Sequence, residues 1–355
     1  MVDLLALTAE LVDIASESHA EAALADRVQA ELVAVPWLVT ERLGDNVVAR
    51  TVHGRPLRLA LAGHLDTVPA NGNAVARLDG DTLWGLGASD MKSGLAVMIE
   101  LARTVAAPAV DVTYIFYAAE EVAAVHNGLA HLFRERPDLV ACDAAILGEP
   151  TDAVLEAGCQ GTMRVEITLV GERAHSARPW MGRNALHRLG HLLTLVEAAP
   201  GREPSIDGCS YREALQAVGA ASGVAPNVVP DRASVTLNHR FAPDRTVAHA
   251  EAYLRSLLAP VLEDGDTFEV VDAAPAATPG LDHPLLRALV DRNRLPVRAK
   301  LGWTDVARFA GRGIPAANLG PGDPRLAHAA DERVGRAPIE ATYALLRDLI
   351  VRGVD

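Results

Sequence analysis

The sequence predicts an α/β protein into which a smaller α+β domain is inserted. In the first part of the chain, short apolar strands alternate with helical segments, which is typical of a mostly parallel sheet. From about residue 162 the strands carry alternating apolar residues and follow the order β-α-β-β-α-β of a ferredoxin-like domain. A stretch rich in proline, alanine and glycine at 272–280 then leads back to the first pattern. We therefore divide the chain into 1–161, 162–274 and 275–355, the first and third forming one domain.

Apolar periodicity predicts the individual elements. In the larger domain, helices are predicted at 4–14, 21–35, 92–102, around 129–132, 284–293 and 338–351. Its strands are predicted at 38–40, 46–51, 57–63, 112–119 and 143–148, with a last one that ends at residue 319. In the inserted domain, strands are predicted at 162–169, 215–221, 233–241 and 267–271, and helices at 184–198 and 245–258.

Composition excludes several classes of partner. The formal net charge is -13 over 355 residues, whereas nucleic acids and anionic membranes bind basic surfaces. The three cysteines contain no Cys-x-x-Cys pair, so a metal would be held by histidines and carboxylates. The chain begins with an amphipathic helical pattern rather than a signal peptide, and no apolar run is long enough to span a bilayer. We expect a cytoplasmic protein with a small-molecule substrate.

Potential metal ligands follow three apolar strands of the larger domain. Ligands and catalytic groups collect at the carboxyl ends of strands in such sheets. A glycine-rich loop, W-G-L-G-A-S-D-M-K-S-G, adds a carboxylate, and the turn G-P-G-D-P precedes a late histidine. The candidate residues are His64, Asp90, Glu120, Glu121, Glu149 and His328. Taken singly, such residues are more often structural or solvent-exposed, and only their joint placement favours a site.

Two histidines and three carboxylates suit a pair of metal ions better than one, because a single catalytic zinc usually takes three protein ligands. Zinc is expected, with cobalt or manganese as substitutes. Asp90 lies on a loop with nearby glycines and is the natural bridging ligand. Glu120 and Glu121 are adjacent, so their side chains diverge: one can bind metal while the other acts as general base. Asp66, two residues after His64, is expected to orient its imidazole as a catalytic support.

Four segments resemble the M20 family of co-catalytic zinc peptidases and deacylases: G-H-L-D-T-V-P, G-L-G-A-S-D-M-K-S-G, the glutamate pair and L-G-E-P. The resemblance covers essentially the whole chain. It implies a zinc-peptidase-like catalytic domain, an inserted domain that serves as lid and dimerisation domain, and two zinc ions per subunit. It also implies the roles of the candidates: His64, Asp90 and Glu149 on one ion, Asp90, Glu121 and His328 on the other, and Glu120 as general base.

The inserted domain and a late loop supply candidates for substrate binding. In dimeric members of the family, the histidine that matches His175 reaches the partner subunit's active site and stabilises the oxyanion. The resemblance implies that Asn227 and Arg240 hold a substrate carboxylate. Arg178 can pair with a carboxylate through two hydrogen bonds, as can Arg240. Thr304, in the segment G-W-T-D, is a further candidate.

Within the family, the segments around these candidates, together with G-C-Q-G-T, G-W-T-D-V-A-R-F and G-P-G-D-P, are most similar to the succinyl-diaminopimelate desuccinylases of high-GC Gram-positive bacteria. That resemblance implies hydrolysis of N-succinyl-LL-2,6-diaminopimelate to succinate and LL-2,6-diaminopimelate, a step of lysine and diaminopimelate biosynthesis. One departure is the loop 301–305, which reads L-G-W-T-D where many desuccinylases carry a Gly-Thr-Ser/Thr segment. The alternatives are another M20 hydrolase, such as an acetylornithine deacetylase, an aminoacylase or a carboxypeptidase, and a non-catalytic metal-binding relative. The intact set of ligands with Glu120 argues against the last.

Overall fold

The computed structural model describes residues 2–355, and the chain divides into two compact units. The first consists of Met1–Ala157, Pro279–Arg298 and Arg308–Asp355, and the second of Gly158–Thr278 and Ala299–Ala307. A largely parallel sheet forms the first unit and an antiparallel sheet the second, which confirms the predicted fold class.

The first unit is built on an eight-stranded sheet. Elements are numbered along the chain, and the strands of this sheet are β1 Val39–Leu43, β2 Asn46–Arg50, β3 Arg58–His64, β6 Asp111–Tyr117, β7 Ala144–Leu147, β8 Leu155–Ala157, β17 Val297–Ala299 and β18 Ala316–Asn318. Their spatial order is β1-β2-β6-β3-β7-β18-β8-β17. The four central strands β6, β3, β7 and β18 run parallel, whereas β1, β2 and β8 pair antiparallel with their neighbours. A separate three-stranded sheet contains β4 Arg77–Asp79, β5 Thr82–Trp84 and β19 Arg333–Gly335.

The helices of the first unit bury the apolar strands. They are α1 Leu4–Val12, α2 Ala22–Val33, α3 Ser93–Thr104, α4 Gly128–Glu135, α5 Pro137–Val140, α8 Pro284–Asn293, α9 Val306–Ala310, whose first two residues belong to the second unit, and α10 Arg336–Arg352. All residues of β3 after its first and all of β6 are buried, as expected for parallel strands with both faces covered. Helix α3 is buried from Ser93 to Ala102 and lies in the main hydrophobic core with α1 and α10.

The second unit is a four-stranded antiparallel sheet with two helices on one face. Its strands are β9 Gly161–Val170, β13 Ala214–Ser222, β15 Arg232–Phe241 and β16 Thr267–Ala274, in the order β13-β15-β9-β16. Helices α6 Ala185–Ala198 and α7 Val247–Leu258 share its core. Two short strand pairs complete the unit: β10 Ala174–His175 with β14 Val228–Val229, and β11 Ser205–Ile206 with β12 Cys209–Ser210.

Hydrogen bonds define the base of the second unit. Cys159 and Ala277 exchange two backbone hydrogen bonds of 3.0 Å, so the chain enters and leaves the unit at one point. The backbone N–H of Gln160 donates to the carbonyl of Lys300 at 3.2 Å, which ties the segment 299–307 to this unit. The domain division that we predict from sequence assigns that segment to the larger domain.

The order of the parallel strands brings candidate residues to one edge of the sheet. Strand β3 ends at His64 and lies between β6 and β7, which lead to the glutamate pair and to Glu149. Strand β6 ends at Tyr117, two residues before the predicted end, because Ala119 adopts a left-handed conformation with φ +57° that an extended strand cannot contain. Among residues 2–355, none of the helices is both long and apolar enough to cross a membrane.

Two glycines in helices differ in the space around them. A Cβ atom on Gly94 in α3 would come within 2.4 Å of the carbonyl oxygen of Gly148, whereas one on Gly190 in α6 would meet nothing within 4 Å. We expect Gly94→Ala to lower the free energy of unfolding by about 1–3 kcal/mol, since neighbouring backbone must move. Gly190→Ala should raise it by about 0.5–1 kcal/mol through helix propensity. Thermal unfolding of both variants checks this, and an unchanged midpoint for Gly94→Ala would contradict the close approach.

Candidate metal centre

A compact group of potential ligands lies at the carboxyl edge of the parallel strands. In the part of the chain that the structure describes, one potential ligand atom from each of His64, Asp90 and Glu121 lies within 4.8 Å of the other two. Nε2 of His64 is 3.1 Å from Oδ1 of Asp90. Nε2 of His328 is 2.9 Å from Oε1 of Glu121 and 3.7 Å from Oδ2 of Asp90. The two carboxylate oxygens of Asp90 therefore face different histidines, which is the arrangement expected of a bridging ligand.

Burial differs across this group. The side chain of His64 is 1% exposed, those of Asp90 and Glu121 are 11% and 10% exposed, and that of His328 is 50% exposed. Glu149 follows β7 by two residues and is also buried. The group thus has a closed side at His64 and an open side at His328, from which a small molecule can approach.

The electrostatics of the group favour a bound cation. Burial opposes the charged form of His64, but the carboxylates of Asp66 and Asp90 outweigh it and raise its pKa well above the usual value. The hydrogen bond to Glu121 raises the pKa of His328 to about 8. The carboxylates therefore favour protonation of both imidazoles. A bound metal ion can supply the same positive charge in place of these protons. Imidazole nitrogens and carboxylate oxygens are a donor set that zinc accepts, so these residues fit the metal.

Asp66 holds the site through both its backbone and its side chain. Its backbone carbonyl lies 2.9 Å from Nδ1 of His64, which places the proton on Nδ1 and leaves Nε2 directed at Asp90. Its carboxylate is 3.6 Å from that nitrogen and instead accepts the backbone N–H groups of Glu120 at 2.9 Å and Glu121 at 3.0 Å. Despite burial, the attraction of His64 and these two donors hold the pKa of Asp66 well below its usual range. Asp66 thus supports the imidazole mainly through its carbonyl and supports the glutamate pair through its carboxylate.

Two buried charged residues were not singled out from the sequence. Glu332 is 1% exposed, and its Oε1 accepts the backbone N–H groups of Ser89 at 2.8 Å and Asp90 at 2.9 Å. Burial raises the pKa of Glu332 to about 7, although these N–H donors oppose the shift. Lys92 is 2% exposed and donates to the carbonyl of Ile14 at 2.8 Å, and burial lowers its pKa to about 8 while the charge of Glu332 opposes it. Glu332 therefore fixes the loop that carries Asp90. In the sequence it is a single glutamate four positions after His328, and no pattern there indicates that it contacts this loop.

The candidates for substrate binding all lie in the second unit. His175 is exposed on β10, and the carbonyl of Asn227 accepts the backbone N–H of Ser176 at 2.8 Å, so these two residues are close together. The backbone N–H of Arg178 donates to the carbonyl of His175 at 2.8 Å. Arg240 lies on β15, where it pairs with Thr162 of β9. Burial lowers the pKa of Arg240, although the charge of Asp272 opposes this.

Thr304 is buried at 4% exposure, and its backbone carbonyl accepts a hydrogen bond from the thiol of Cys159 at 3.8 Å. The structure therefore groups His175, Arg178 and Asn227 and places Arg240 and Thr304 elsewhere in the unit.

Comparison with known proteins decides the family. Residues 60–352 match peptidase family M20/M25/M40. The chain belongs to this family. The predicted M20 membership is thereby confirmed, and all of the expected metal-ligand motifs lie within the matched residues.

Curated relatives of this M20 chain cover nearly its whole length. It is 52% identical over 348 residues to a protein of Mycobacterium tuberculosis that is named as a candidate succinyl-diaminopimelate desuccinylase, with 97% of each chain covered. It is 44% identical over 354 residues to the succinyl-diaminopimelate desuccinylase of Corynebacterium glutamicum, covering 98% of this chain and 96% of that one. The fold is similar to that of the aminopeptidase PepT from Bacillus cereus, with a TM-score of 0.79, 20% identity, and 98% and 97% of the two chains covered.

Replacement of Glu332 tests its role in holding the loop of Asp90. We expect Glu332→Ala to lower the free energy of unfolding of the metal-free protein by about 1–3 kcal/mol, because two buried N–H groups lose their acceptor. Glu332→Gln keeps an acceptor oxygen and should cost less. Thermal or urea unfolding measures both, with Glu340→Ala as control, since the Glu340 side chain is 57% exposed. Equal stability of the alanine variant and its parent would rule out the anchoring role.

Proposed function

We propose that this protein hydrolyses N-succinyl-LL-2,6-diaminopimelate to succinate and LL-2,6-diaminopimelate. The single observation that carries the proposal is the 44% identity over 354 residues to the succinyl-diaminopimelate desuccinylase of C. glutamicum. The geometry supports it, because ligand atoms of His64, Asp90 and Glu121 lie within 4.8 Å of one another and His328 contacts Glu121, the residue after Glu120. The substrate carries carboxylates at both ends, so cationic anchors such as Arg178 and Arg240 suit it.

The metal site is proposed to hold two zinc ions per subunit, with cobalt or manganese as possible replacements. His64, Asp90 and Glu149 would hold one ion, and Asp90, Glu121 and His328 the other. Bound there, the ions would supply Lewis-acid chemistry: polarisation of the amide carbonyl and a water molecule with a pKa near neutrality. Each carboxylate oxygen of Asp90 faces a different histidine, and this arrangement supports the assignment.

Glu120 is proposed to be the general base. It would take a proton from the attacking water and pass it to the nitrogen of the leaving amine. Its backbone N–H and that of Glu121 both donate to the carboxylate of Asp66, so the backbone from which the two glutamate side chains project is held in place. His175 would donate a hydrogen bond to the developing oxyanion. Arg178, Asn227, Arg240 and Thr304 are the proposed contacts to the rest of the substrate.

A homodimer is proposed because the candidates in the second unit are too far apart to serve one substrate. Arg240 lies at the end of β15 that pairs with Thr162, and Arg232 lies at the end that pairs with Val170. At roughly 3.3 Å per residue, eight steps along the strand separate them by about 26 Å. Strand β14 pairs with β10 at His175 and is followed in the chain by β15, which begins at Arg232. His175 is therefore near the Arg232 end of β15. Because both ends belong to one unit, no movement of that unit brings them together, whereas a second copy can supply the missing end.

Strand β13 supports the same conclusion. It is an edge strand that pairs with β15 on one side, and its sequence, A-L-Q-A-V-G-A-A-S, contains no charged residue and no proline. Edge strands of monomers usually carry such residues, because an open edge invites pairing with another chain. Val218 on this strand is 60% exposed. We propose that the edge of β13 pairs with its counterpart in the second subunit.

A substrate panel tests the proposed reaction. We expect the zinc-loaded protein to hydrolyse N-succinyl-LL-2,6-diaminopimelate with a kcat/KM at least about tenfold above those for N-acetylornithine and simple dipeptides, since an acetyl methyl group has no carboxylate to pair with a cationic subsite. Removal of metal by a chelator should abolish turnover, and zinc should restore it. Preference for the acetyl compound or a dipeptide would replace the desuccinylase proposal with another M20 activity.

Mixing two inactive variants tests the base, the oxyanion donor and the dimer together. Glu120→Ala and His175→Ala should each lose nearly all turnover while keeping their metal. If His175 serves the partner subunit, a mixed dimer contains one intact site, so mixing equal amounts after subunit exchange should restore about a quarter of the original activity. A mass tag on one variant can demonstrate that mixed dimers have formed. If they have formed and no activity returns, His175 does not act in the active site of the partner subunit.

A further inference from the structure

Four successive backbone N–H groups next to the metal centre are all held by side chains. The backbone N–H of Ala118 donates to Oδ1 of Asn46 at 3.0 Å. That of Ala119 donates to Oε1 of Glu21 at 3.0 Å. The N–H groups of the two following glutamates donate to Asp66 at 2.9 and 3.0 Å. The turn 118–121 therefore depends on three side chains from three separate parts of the first unit.

The turn needs these acceptors because it leaves the sheet. Strand β6 ends at Tyr117, so the next N–H groups have no partner strand, and buried N–H groups without acceptors are costly. Ala119 in addition has a φ of +57°, which is unfavourable for a residue with a Cβ atom. The acceptor for the N–H of this residue is Glu21, which is 2% exposed and precedes α2. The least favourable residue of the turn is thus held by a buried carboxylate.

The left-handed residue sets the direction of the glutamate that follows it. Glu120 comes directly after Ala119, whereas Glu121 is one residue further away, and Asp66 holds the N–H groups of both. If Glu21 is lost, the peptide between Ala118 and Ala119 can rotate, although Asp66 still holds the N–H groups of both glutamates. Glu120 is directly joined to the residue that moves, whereas Glu121 is one residue further away. The largest displacement is then expected at the side chain of Glu120.

We propose that Glu21 is a positioning residue that maintains the left-handed turn at Ala119 and thereby aims Glu120 at the substrate. This inference rests on the proposed role of Glu120 as general base. Glu21 acts through hydrogen bonding to the backbone. The property that matters is an acceptor oxygen at the right distance from the N–H of Ala119, not its charge.

Three substitutions of Glu21 separate these properties. Glu21→Ala removes the acceptor, Glu21→Asp withdraws it by one methylene, and Glu21→Gln keeps an acceptor oxygen without the charge. A displacement of about 1 Å at a catalytic group can cost on the order of a hundredfold in rate. We expect Glu21→Ala to lower kcat about ten- to a hundredfold with little change in KM or zinc content, Glu21→Asp to show a smaller loss, and Glu21→Gln to stay within about threefold of its parent.

The control is Glu10→Ala on α1, because the Glu10 side chain is 62% exposed and pairs with Arg27 at the surface. Its kcat, zinc content and thermal midpoint should match those of the parent. If Glu21→Ala does not fold, the comparison of Glu21→Asp with Glu21→Gln decides the proposal. A Gln variant as impaired as the Asp variant would show that charge, not the hydrogen bond, matters, and would overturn it.

Hydrogen exchange provides a readout that does not depend on activity. In the metal-free protein, the amide of Ala119 should exchange faster in Glu21→Ala than in the parent, and Glu21→Gln should restore its protection. Unchanged exchange in Glu21→Ala would overturn the positioning role whatever the substrate is. If exchange responds as expected but neither parent nor variants hydrolyse the succinyl substrate, the proposed reaction fails while the turn and its anchor stand.

Discussion

The parallel pairing of β6, β3 and β7 is the constraint on which the candidate site depends. Parallel strands end at the same edge, so residues far apart in sequence meet there without any dedicated contact between their loops. With β3 in the middle, His64 lies between the segments that follow its two neighbours. Strand β18 extends the parallel order by one strand, and the chain beyond it carries His328. A shift in the order of these four strands would separate the candidate ligands.

The second requirement is that the loops beyond the strands hold their shape. Backbone N–H groups there cannot pair within the sheet, and buried acidic side chains accept many of them. Glu332 accepts from the loop of Asp90, Asp66 from the glutamate pair, and Glu21 from Ala119. A carboxylate is well suited to this task because it offers two acceptor oxygens and, when ionised, carries no donor that needs a partner of its own. The site thus combines acids that bind backbone with the acids that are candidates to bind a cation or a substrate.

The sequence predicts features that depend on local residue patterns, and it does not predict contacts between segments that are far apart in the chain. His64 and Glu149 could be proposed because each follows an apolar run, and the fold class follows from the change in strand pattern. Glu21 and Glu332 could not, since each is a single glutamate whose partner lies on a distant segment. The predicted end of β6 lies two residues beyond the observed end, because no sequence pattern indicates that an alanine adopts the left-handed conformation.

The two hydrogen bonds between Cys159 and Ala277 have a consequence for folding. Strand β18 must pair with β7, although the whole second unit lies between them in sequence. The entropy lost on closing a flexible loop grows with its length. Once the second unit has folded, its two ends are held together at this base, and the connection from β7 to β18 is effectively shortened by residues 159–277. Formation of the metal centre is then coupled to prior folding of a unit that contributes none of its candidate ligands.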